Sequence, residues 1–402
     1  MDNLAALMPQ ESHRISVSAH PTVELAVDEL VAEIGPIRAQ SMLIYYTQHY
    51  DAKRLQQLLR EHYPNTPIHG CSTCRGVLTN KGFIEGPVVG VSYTLDPHFS
   101  TCNAITTFDT IDRKEVCSKT TKAIDKAIEK SNRQGEVPGL ILMHGTVGTE
   151  EGVLECIDNY FGLQVPVLGG TAADDYIEGK WSIFTQESVV TQGVSLTFIY
   201  GNANLNTSFG TGYITTRKNG VVTSANGRFV LTIDDMPAAS VYRAWTKSIL
   251  HDDQYQDLMQ HTGHVPLGVQ YISNENEIYY HLFHPVRLCD DGSIELFAEM
   301  PQGVNIKLMI GSHEHMVDRV ARIVGDASAS LMSPLGPSAY LSMFCAGSMY
   351  SIYDHLPHIA KQLNATYNNV PFLCPFTFGE QGMTVEGKNA HGNLMISTVA
   401  FS

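Results

Sequence analysis

Two rhythms of apolar residues alternate along the chain. Residues 14–18 read as a first strand. Residues 22–34 then carry apolar side chains at Val23, Ala26, Val27, Leu30, Val31 and Ile34. That is the spacing of one helix face, and Gly35-Pro36 stops it. The apolar run 41–46 reads as a buried strand. Asp51 stands where it can cap a helix whose stripe is Leu55, Leu58 and Leu59. A strand entering at Pro67 runs into Gly70-Cys71-Ser72-Thr73. A hairpin-like segment at 82–87 follows, then strands at 88–95 and 99–108. Residues 112–132 make a long polar helix with a thin stripe at Val116, Ala123, Ile124, Ala127 and Ile128.

The same order then returns at an offset of 99 residues: Leu43 aligns with Leu142, Leu55 with Leu154, Leu58 with Ile157, Pro67 with Pro166, Gly70 with Gly169 and Ser72 with Thr171. Downstream, Gly90-Val-Ser-Tyr-Thr-Leu95 matches Gly193-Val-Ser-Leu-Thr-Phe198. An echo of this length is an internal duplication, spanning about 41–95 and 140–198. Each copy reads strand, loop, helix, strand, Gly-rich loop, hairpin strand. A strand-helix-strand crossover leaves its two strands parallel and is right-handed. It puts the ends of both Gly-rich strands at one sheet edge, where open α/β sheets bind ligands.

From about residue 207 the pattern changes. Strand-like segments run to 234, Pro237 opens a helix to about 250, and Asp252 starts a short one. Segments 267–273 and 277–283 pair as a hairpin across 274–276. A strand at 304–310 leads into a helix from 312 to about 324, and Pro334, Gly336 and Pro337 mark a loop. A strand at 339–344, a helix at 352–363 and a strand from 371 then lead to a loop holding Gly379, Glu380 and Gly382. A closing strand covers 393–401. This last run reads as a third, more divergent copy with altered spacing. The fold class expected is therefore α/β: two α/β domains, 1–210 and 211–402, with internally duplicated strand-helix-strand units.

Composition narrows the function classes. The 402 residues suffice for two or three domains, and 43% hydrophobic content is that of a globular chain. The net charge of −15 offers no basic footprint for nucleic acid. No run approaches the roughly 18 apolar residues of a membrane helix. The opening Met1-Asp-Asn-Leu lacks the basic and apolar regions of a signal peptide. The eight scattered cysteines read as reduced cytoplasmic thiols.

Several motifs carry candidate chemistry. Cys71-Ser-Thr-Cys74 has C-x-x-C spacing, which suits a thiol oxidoreductase or half a zinc site. The second copy has Gly170 and Ala173 at those positions, so what recurs is a tight loop with small hydroxyls and backbone N–H groups. Gly70, Cys71, Ser72 and Thr73 are read as one wall of a ligand site. Gly169, Gly170, Thr171 and Asp174 are the neighbouring wall, where the carboxylate favours an amine-bearing ligand. Asp174, Glu380 and Glu150 are candidates for paired-carboxylate work, with nothing to set their separation. No G-x-S-x-G or H-E-x-x-H occurs. His313 and His315 fall about 200° apart on a helix and cannot share a face. His144, at the end of an apolar strand, and His69, before the first Gly-rich loop, are candidate axial haem ligands. His264, His281 and His284 are further candidates.

In the order and spacing of its motifs the chain resembles the FIST family. Gly70-Cys-Ser-Thr and Val167-Leu-Gly-Gly-Thr-Ala-Ala-Asp match its N-terminal domain. Pro266-Leu-Gly, Val286-Arg287, Ser342-Met-Phe-Cys-Ala-Gly347 and Phe376-Thr-Phe-Gly-Glu-Gln-Gly382 match its C-terminal domain. The resemblance covers about 20–400. It implies a signal-input protein of the bacterial cytoplasm, without catalytic activity, that binds a small molecule and regulates a histidine kinase or a cyclic-di-nucleotide enzyme. A stand-alone branch of similar length implies haem as cofactor and nitric oxide as signal. An amino-acid or small-metabolite receptor of the same fold is the alternative, with Glu380 added to the ligand site. A homo-oligomer is compatible with either. Cys74 is not required by the family loop, and Ser348-Met349 stands where the family commonly has Arg after Gly.

Overall fold

The computed structural model describes residues 12–201, 204–273, 276–329, 331 and 336–402. The expected turn at 274–275, the loop at 332–335 and the chain start lie outside them. The first unit runs β1 (His13–Ser18), α1 (Val23–Ile34), β2 (Ser41–Tyr46), α2 (Ala52–His62), β3 (Ile68–Ser72), the hairpin β4 (Gly76–Thr79) and β5 (Gly82–Glu85), and β6 (Val89–Thr94). The second repeats that order: β7 (Ser100–Thr107), α3 (Arg113–Lys130), β8 (Leu140–Gly145), α4 (Glu150–Phe161), β9 (Val167–Gly170), β10 (Ile183–Thr185), β11 (Val189–Val190) and β12 (Gly193–Tyr200).

A third unit begins with β13 (Leu205–Gly210) and is interrupted by an inserted sheet. That insertion comprises β14 (Ile214–Asn226), β15 (Phe229–Ile233), β16 (Met236–Pro237), α5 (Ala238–Thr246), α6 (Leu258–His261), β17 (Leu267–Ile272), β18 (Ile278–Phe283), β19 (Pro285–Leu288), β20 (Ile294–Leu296) and β21 (Asn305–Ile310). The unit resumes with α7 (His313–Ala329), β22 (Ala339–Cys345), α8 (Ala346–Ser351), α9 (Leu356–Thr366), β23 (Phe372–Thr377), β24 (Glu380–Met383), β25 (Asn389–Gly392) and β26 (Ile396–Phe401).

The three units exchange hairpins in a cycle. The first sheet, β1-β6-β2-β3, is completed by β10-β11 of the second unit. The second, β7-β12-β8-β9, is completed by β24-β25 of the third. The third, β13-β26-β22-β23, is completed by β4-β5 of the first. The third copy anticipated from its strand-helix-strand rhythm is thus a full structural equivalent, with the eight-stranded inserted sheet placed between β13 and α7. The two Gly-rich strands do not share a sheet edge, as was expected. β3 pairs with β2 in one sheet and β9 with β8 in another.

Alternation explains why the first parallel strand of each unit is apolar throughout. In β2, Met42, Ile44 and Tyr46 face the helices α1 and α2, while Leu43 and Tyr45 face a core common to all three sheets. In β8, Ile141 and Met143 pack under α3 and α4 while Leu142 joins the common core, as Leu341 and Met343 of β22 do. A parallel strand covered on both faces reads as a continuous hydrophobic run. Each buried Leu contributes roughly 1.5–3 kcal/mol, so the equivalent trio Leu43, Leu142 and Leu341 holds the sheets together.

Local signals placed most helix ends correctly. Asp51 accepts from the Arg54 N–H at 2.7 Å and caps α2, and Gly35, at φ +78°, closes α1. The helix expected over 352–363 starts later, as α9 at Leu356, after a 3-10 turn at Tyr353–His355. Ile352 leaves the helical region, and Pro357 sits in the first turn of α9, where a missing N–H costs nothing. The helix opened by Pro237 stops at Thr246, and α7 runs on to Ala329.

Candidate functional site

The loops expected to wall a ligand instead bolt the three units together. Ala173 N–H donates to Ser72 O at 3.1 Å, Phe378 N–H to Thr171 O at 2.9 Å and Cys74 N–H to Phe376 O at 2.9 Å. Those donors and acceptors occupy equivalent positions, so the bonds form a closed ring around the molecule. Thr73 Oγ1 donates to Gly76 O (2.8 Å), and Thr171 N–H donates to Gly379 O (2.9 Å). Gly70 and Gly169 are there for close approach. A Cβ on Gly70 would fall 2.3 Å from the Phe184 ring, and one on Gly169 would fall 1.9 Å from Met143 O. Cys71, Ser72, Thr73, Gly170 and Thr171 are all buried. At Gly70–Thr73 and Gly169–Thr171, where a ligand wall was expected, the polar groups are engaged in bonds within and between units.

Asp174 is likewise occupied. Its carboxylate accepts four backbone N–H groups, from Tyr176 (3.2 Å), Ile177 (2.5 Å), Glu178 (2.9 Å) and Lys180 (2.8 Å). It shapes the loop after β9 and has no face left for an amine. Burial pushes Glu380 well above the ordinary carboxylate range, against hydrogen bonds from Thr377, the Met395 N–H and Cys345. Glu380 lies buried inside the third unit, where Oε1 accepts from Thr377 Oγ1 and Oε2 from the Met395 N–H.

The two candidate haem ligands are also fully engaged. His144 Nδ1–H donates to Gly170 O at 2.8 Å, and its Nε2 faces the Tyr45 hydroxyl at 3.0 Å. Tyr45 and His144 are the same position in the two copies, now bonded to one another. His69 meets Thr197 Oγ1 at 2.6 Å and Ser195 Oγ at 2.5 Å. Burial lowers His69 well below its usual range and His144 to about 4. An axial ligand needs a free ring nitrogen facing an apolar pocket, and neither residue provides one, so haem does not fit here. Titrating the protein with haem and comparing visible spectra of the parent and His144→Ala is expected to give identical traces. A Soret band lost in the variant would reverse that reading.

The C-x-x-C thiols do not fit redox or metal chemistry either. Burial raises Cys71 far above the thiol range and Cys74 to about 12. Reactive cysteines are exposed and of low pKa.

The chemistry concentrates instead where the second unit meets the inserted sheet. A cleft of about 560 Å³ opens between α4, β25 and the insertion. An ion network lies beside it, of which Glu151, Glu299 and His391 line the cleft. Arg228, in the turn between β14 and β15, donates to Glu150 Oε2 at 2.8 Å and Glu151 Oε2 at 2.7 Å. His391 Nδ1 meets Glu151 Oε1 at 3.0 Å, and the Glu299 N–H donates to the same oxygen at 2.9 Å. Thr171 Oγ1 donates to Glu150 Oε1 at 3.0 Å, tying the network to the ring of loop bonds. The position at the start of α4 suits two carboxylates, because a helix N-terminus favours negative charge. Burial alone would raise Glu151, but His391 and Arg228 outweigh it and hold the carboxyl well below its ordinary range.

The cleft walls are apolar, with Leu154, Phe283, Met300 and Tyr271, and the rim is polar. Arg113 bridges Glu155 and Glu299 across the mouth. Asn389 holds Asp158 Oδ1 at 2.8 Å. His281 Nε2–H donates to His391 O at 2.9 Å, and burial lowers His281 to about 4. That leaves His281 Nδ1 and His391 Nε2 as buried ring nitrogens without partners among the described residues. Two glycines make room for these rings. A Cβ on Gly379 would lie 2.5 Å from His391 Nε2, and one on Gly392 would lie 2.6 Å from His281 Nε2.

Glu150, Glu151 and His391 are close enough to ligate one metal ion, their donor atoms lying within 4.8 Å. Arg228 already supplies the positive charge those carboxylates need, so a cation would have to displace a buried guanidinium. Of this group, only Glu150 and His281 stand out in the sequence. The signal for Glu151 was its place beside Glu150 after Thr149. Arg228 and His391 lie far off in the chain, with no local pattern to join them.

This three-unit α/β assembly, with a ligand-sized cleft beside an inserted sheet, has the build of a binding protein. The chain belongs to the FIST family: the FIST N domain matches residues 40–236 and the FIST C domain matches residues 238–383. FIST domains are small-ligand-binding sensors of signal transduction. The chain is 25% identical over 211 residues to an uncharacterized protein of Methanocaldococcus jannaschii, covering 50% of this chain and 40% of that protein. The chain thus spans about two fifths of that relative's length. It is also similar to the crystal structure of cyanuric acid hydrolase from A. caulinodans, at 8% identity and a TM-score of 0.38, over 97% of this chain and 99% of that one. A score that low carries no argument about fold or activity. Among the described residues no helix is long and apolar enough to cross a membrane.

Proposed function

We propose that the chain is a non-catalytic receptor that binds a small amine-bearing metabolite, of amino-acid size, in the cleft between α4, β25 and the inserted sheet. The observation that carries this reading is the lining. Glu151, Glu155, Asp158 and Glu299 outnumber Arg113 and Lys388 around an apolar interior. Small-molecule sites are mostly apolar with a few placed polar groups; Arg228 pairs Glu151 and Arg113 pairs Glu155 and Glu299, which leaves Asp158 as the cleft carboxylate with no ion-pair partner among the described residues, placed to select a cation. Asp158, half-buried, has one oxygen held by Asn389; burial raises its pKa, with Asn389 opposing. An ammonium beside it would favour the charged form.

The cleft is built from the second unit, the third unit and the insertion, so an occupant touches all three. Closure of the insertion onto α4, through Arg228 and the paired glutamates, is the conformational signal in this reading. A partner such as a histidine kinase or a cyclic-di-nucleotide enzyme, and a cytoplasmic location, belong to the same proposal. A thermal-shift screen of proteinogenic amino acids and polyamines tests it. A ligand at 100 times its Kd adds about 2.7 kcal/mol, or roughly 2–4 °C in a chain of this size. The shift is expected to disappear in Asp158→Asn. No stabilising amine, or a shift indifferent to Asp158, would sink the proposal.

A further inference from the structure

Away from the cleft, three histidines from three separate elements converge on the surface where the insertion meets the third unit. His264 ends a 3-10 turn, Thr262–His264, that follows α6. His313 is the first residue of α7, and His355 ends the 3-10 turn Tyr353–His355 between α8 and α9. The His264 and His313 rings lie 5.9 Å apart between centroids, and those of His313 and His355 lie 6.0 Å apart. All three are exposed. His315, two residues on, faces elsewhere and binds Ser312 Oγ at 2.7 Å. The expectation that His313 and His315 cannot share a face holds, but His313 finds its neighbours from other elements.

We propose that His264, His313 and His355 form a surface binding site for a divalent transition metal ion. The chemistry is that of three neutral imidazoles with an open fourth position, which suits Zn²⁺, Ni²⁺ or Cu²⁺ rather than Mg²⁺ or Ca²⁺. Two imidazoles on one tetrahedral ion, at about 2.0–2.1 Å from metal to nitrogen, place their ring centroids roughly 5 Å apart. The rings stand a little wider than that, so on binding the exposed His313 and His355 rings would turn toward His264. His264 is also supported from behind. Burial and the neighbouring His313 lower its pKa, while a hydrogen bond to the Gly311 backbone opposes this. Ligating histidines typically donate their second ring nitrogen to a carbonyl, which fixes the ring and its tautomer. The site is independent of the cleft, whose carboxylates are held by Arg228.

The test is a titration of the full, untagged chain with Ni²⁺ by isothermal calorimetry at pH 7.5. One equivalent is expected to bind. Losing an outer-shell partner of a metal already costs about 10–100-fold in affinity, so His313→Ala and His355→Ala should each weaken binding at least tenfold. His315→Ala should bind as the parent does. The substituted rings are exposed, and near-ultraviolet circular dichroism checks that each variant keeps its fold. The assignment is overturned if the parent takes up no Ni²⁺, if His313→Ala binds unchanged, or if uptake is lost in Glu151→Gln instead.

Discussion

Gly169→Ala is expected to keep the chain from accumulating as a folded protein. The new Cβ would sit 1.9 Å from Met143 O, a backbone atom in the neighbouring parallel strand that cannot swing aside. Overpacking a core costs about 1–3 kcal/mol where side chains can yield. A strand that must shift against β8, with Gln381 Oε1 also within 2.9 Å, costs more. Expression in the soluble fraction and the urea midpoint measure this. Were the loop a ligand wall, the variant would fold normally and lose only binding, so a well-folded Gly169→Ala would overturn the structural role argued for that loop. Gly139→Ala is a fair comparison, because its φ lies outside the left-handed region and its Cβ position meets only Ile199 O, at 3.9 Å.

The second large effect is on pH. Five histidines are buried and neutral: His13, His144, His281 and His284, each lowered by burial to about 4, and His69, lowered well below its usual range. In the unfolded chain each takes up a proton near its ordinary value of 6.5. Between those limits the unfolded state binds more protons, so stability rises with pH and is lost as pH falls. Glu380 works in the opposite sense. Its folded carboxyl keeps a proton that the unfolded chain gives up above 4.5. The net is about four protons, or about 5 kcal/mol per pH unit in mid-window. Against a typical stability of about 5–15 kcal/mol, the fold should be full at pH 7 and lost around pH 5. Urea midpoints recorded from pH 7.5 down to 5 would show it, and a flat profile would contradict it.

Periodicity made much of the fold legible. The helix stripes, the Asp51 cap and the 99-residue echo predicted units that the structure contains, including the third. What periodicity could not carry is pairing between distant segments. Nothing near Val77 and Leu78 says that they pair with Pro375 and Cys374. Without that, the Gly-Cys-Ser-Thr loop reads as open and polar. With it, the Cys74, Ala173 and Phe378 N–H groups each have a partner in another unit. The same limit hid the ion network, because Glu151, Arg228 and His391 sit on α4, a β-turn and β25. Tyr45 and His144 show the converse. Their matched positions were visible, but only the closed assembly reveals that they bond to each other.

Cyclic hairpin exchange also sets a schedule on the ribosome. Thr79 pairs with Leu373, so the first unit's hairpin waits for nearly 300 further residues to be made. At about 5–20 residues per second, that is roughly 15–60 s during which Val77 and Leu78 have no sheet to join. The nascent chain therefore carries an unfinished apolar edge through most of its synthesis, and its capture by ribosome-associated chaperones would be timed to the emergence of β23.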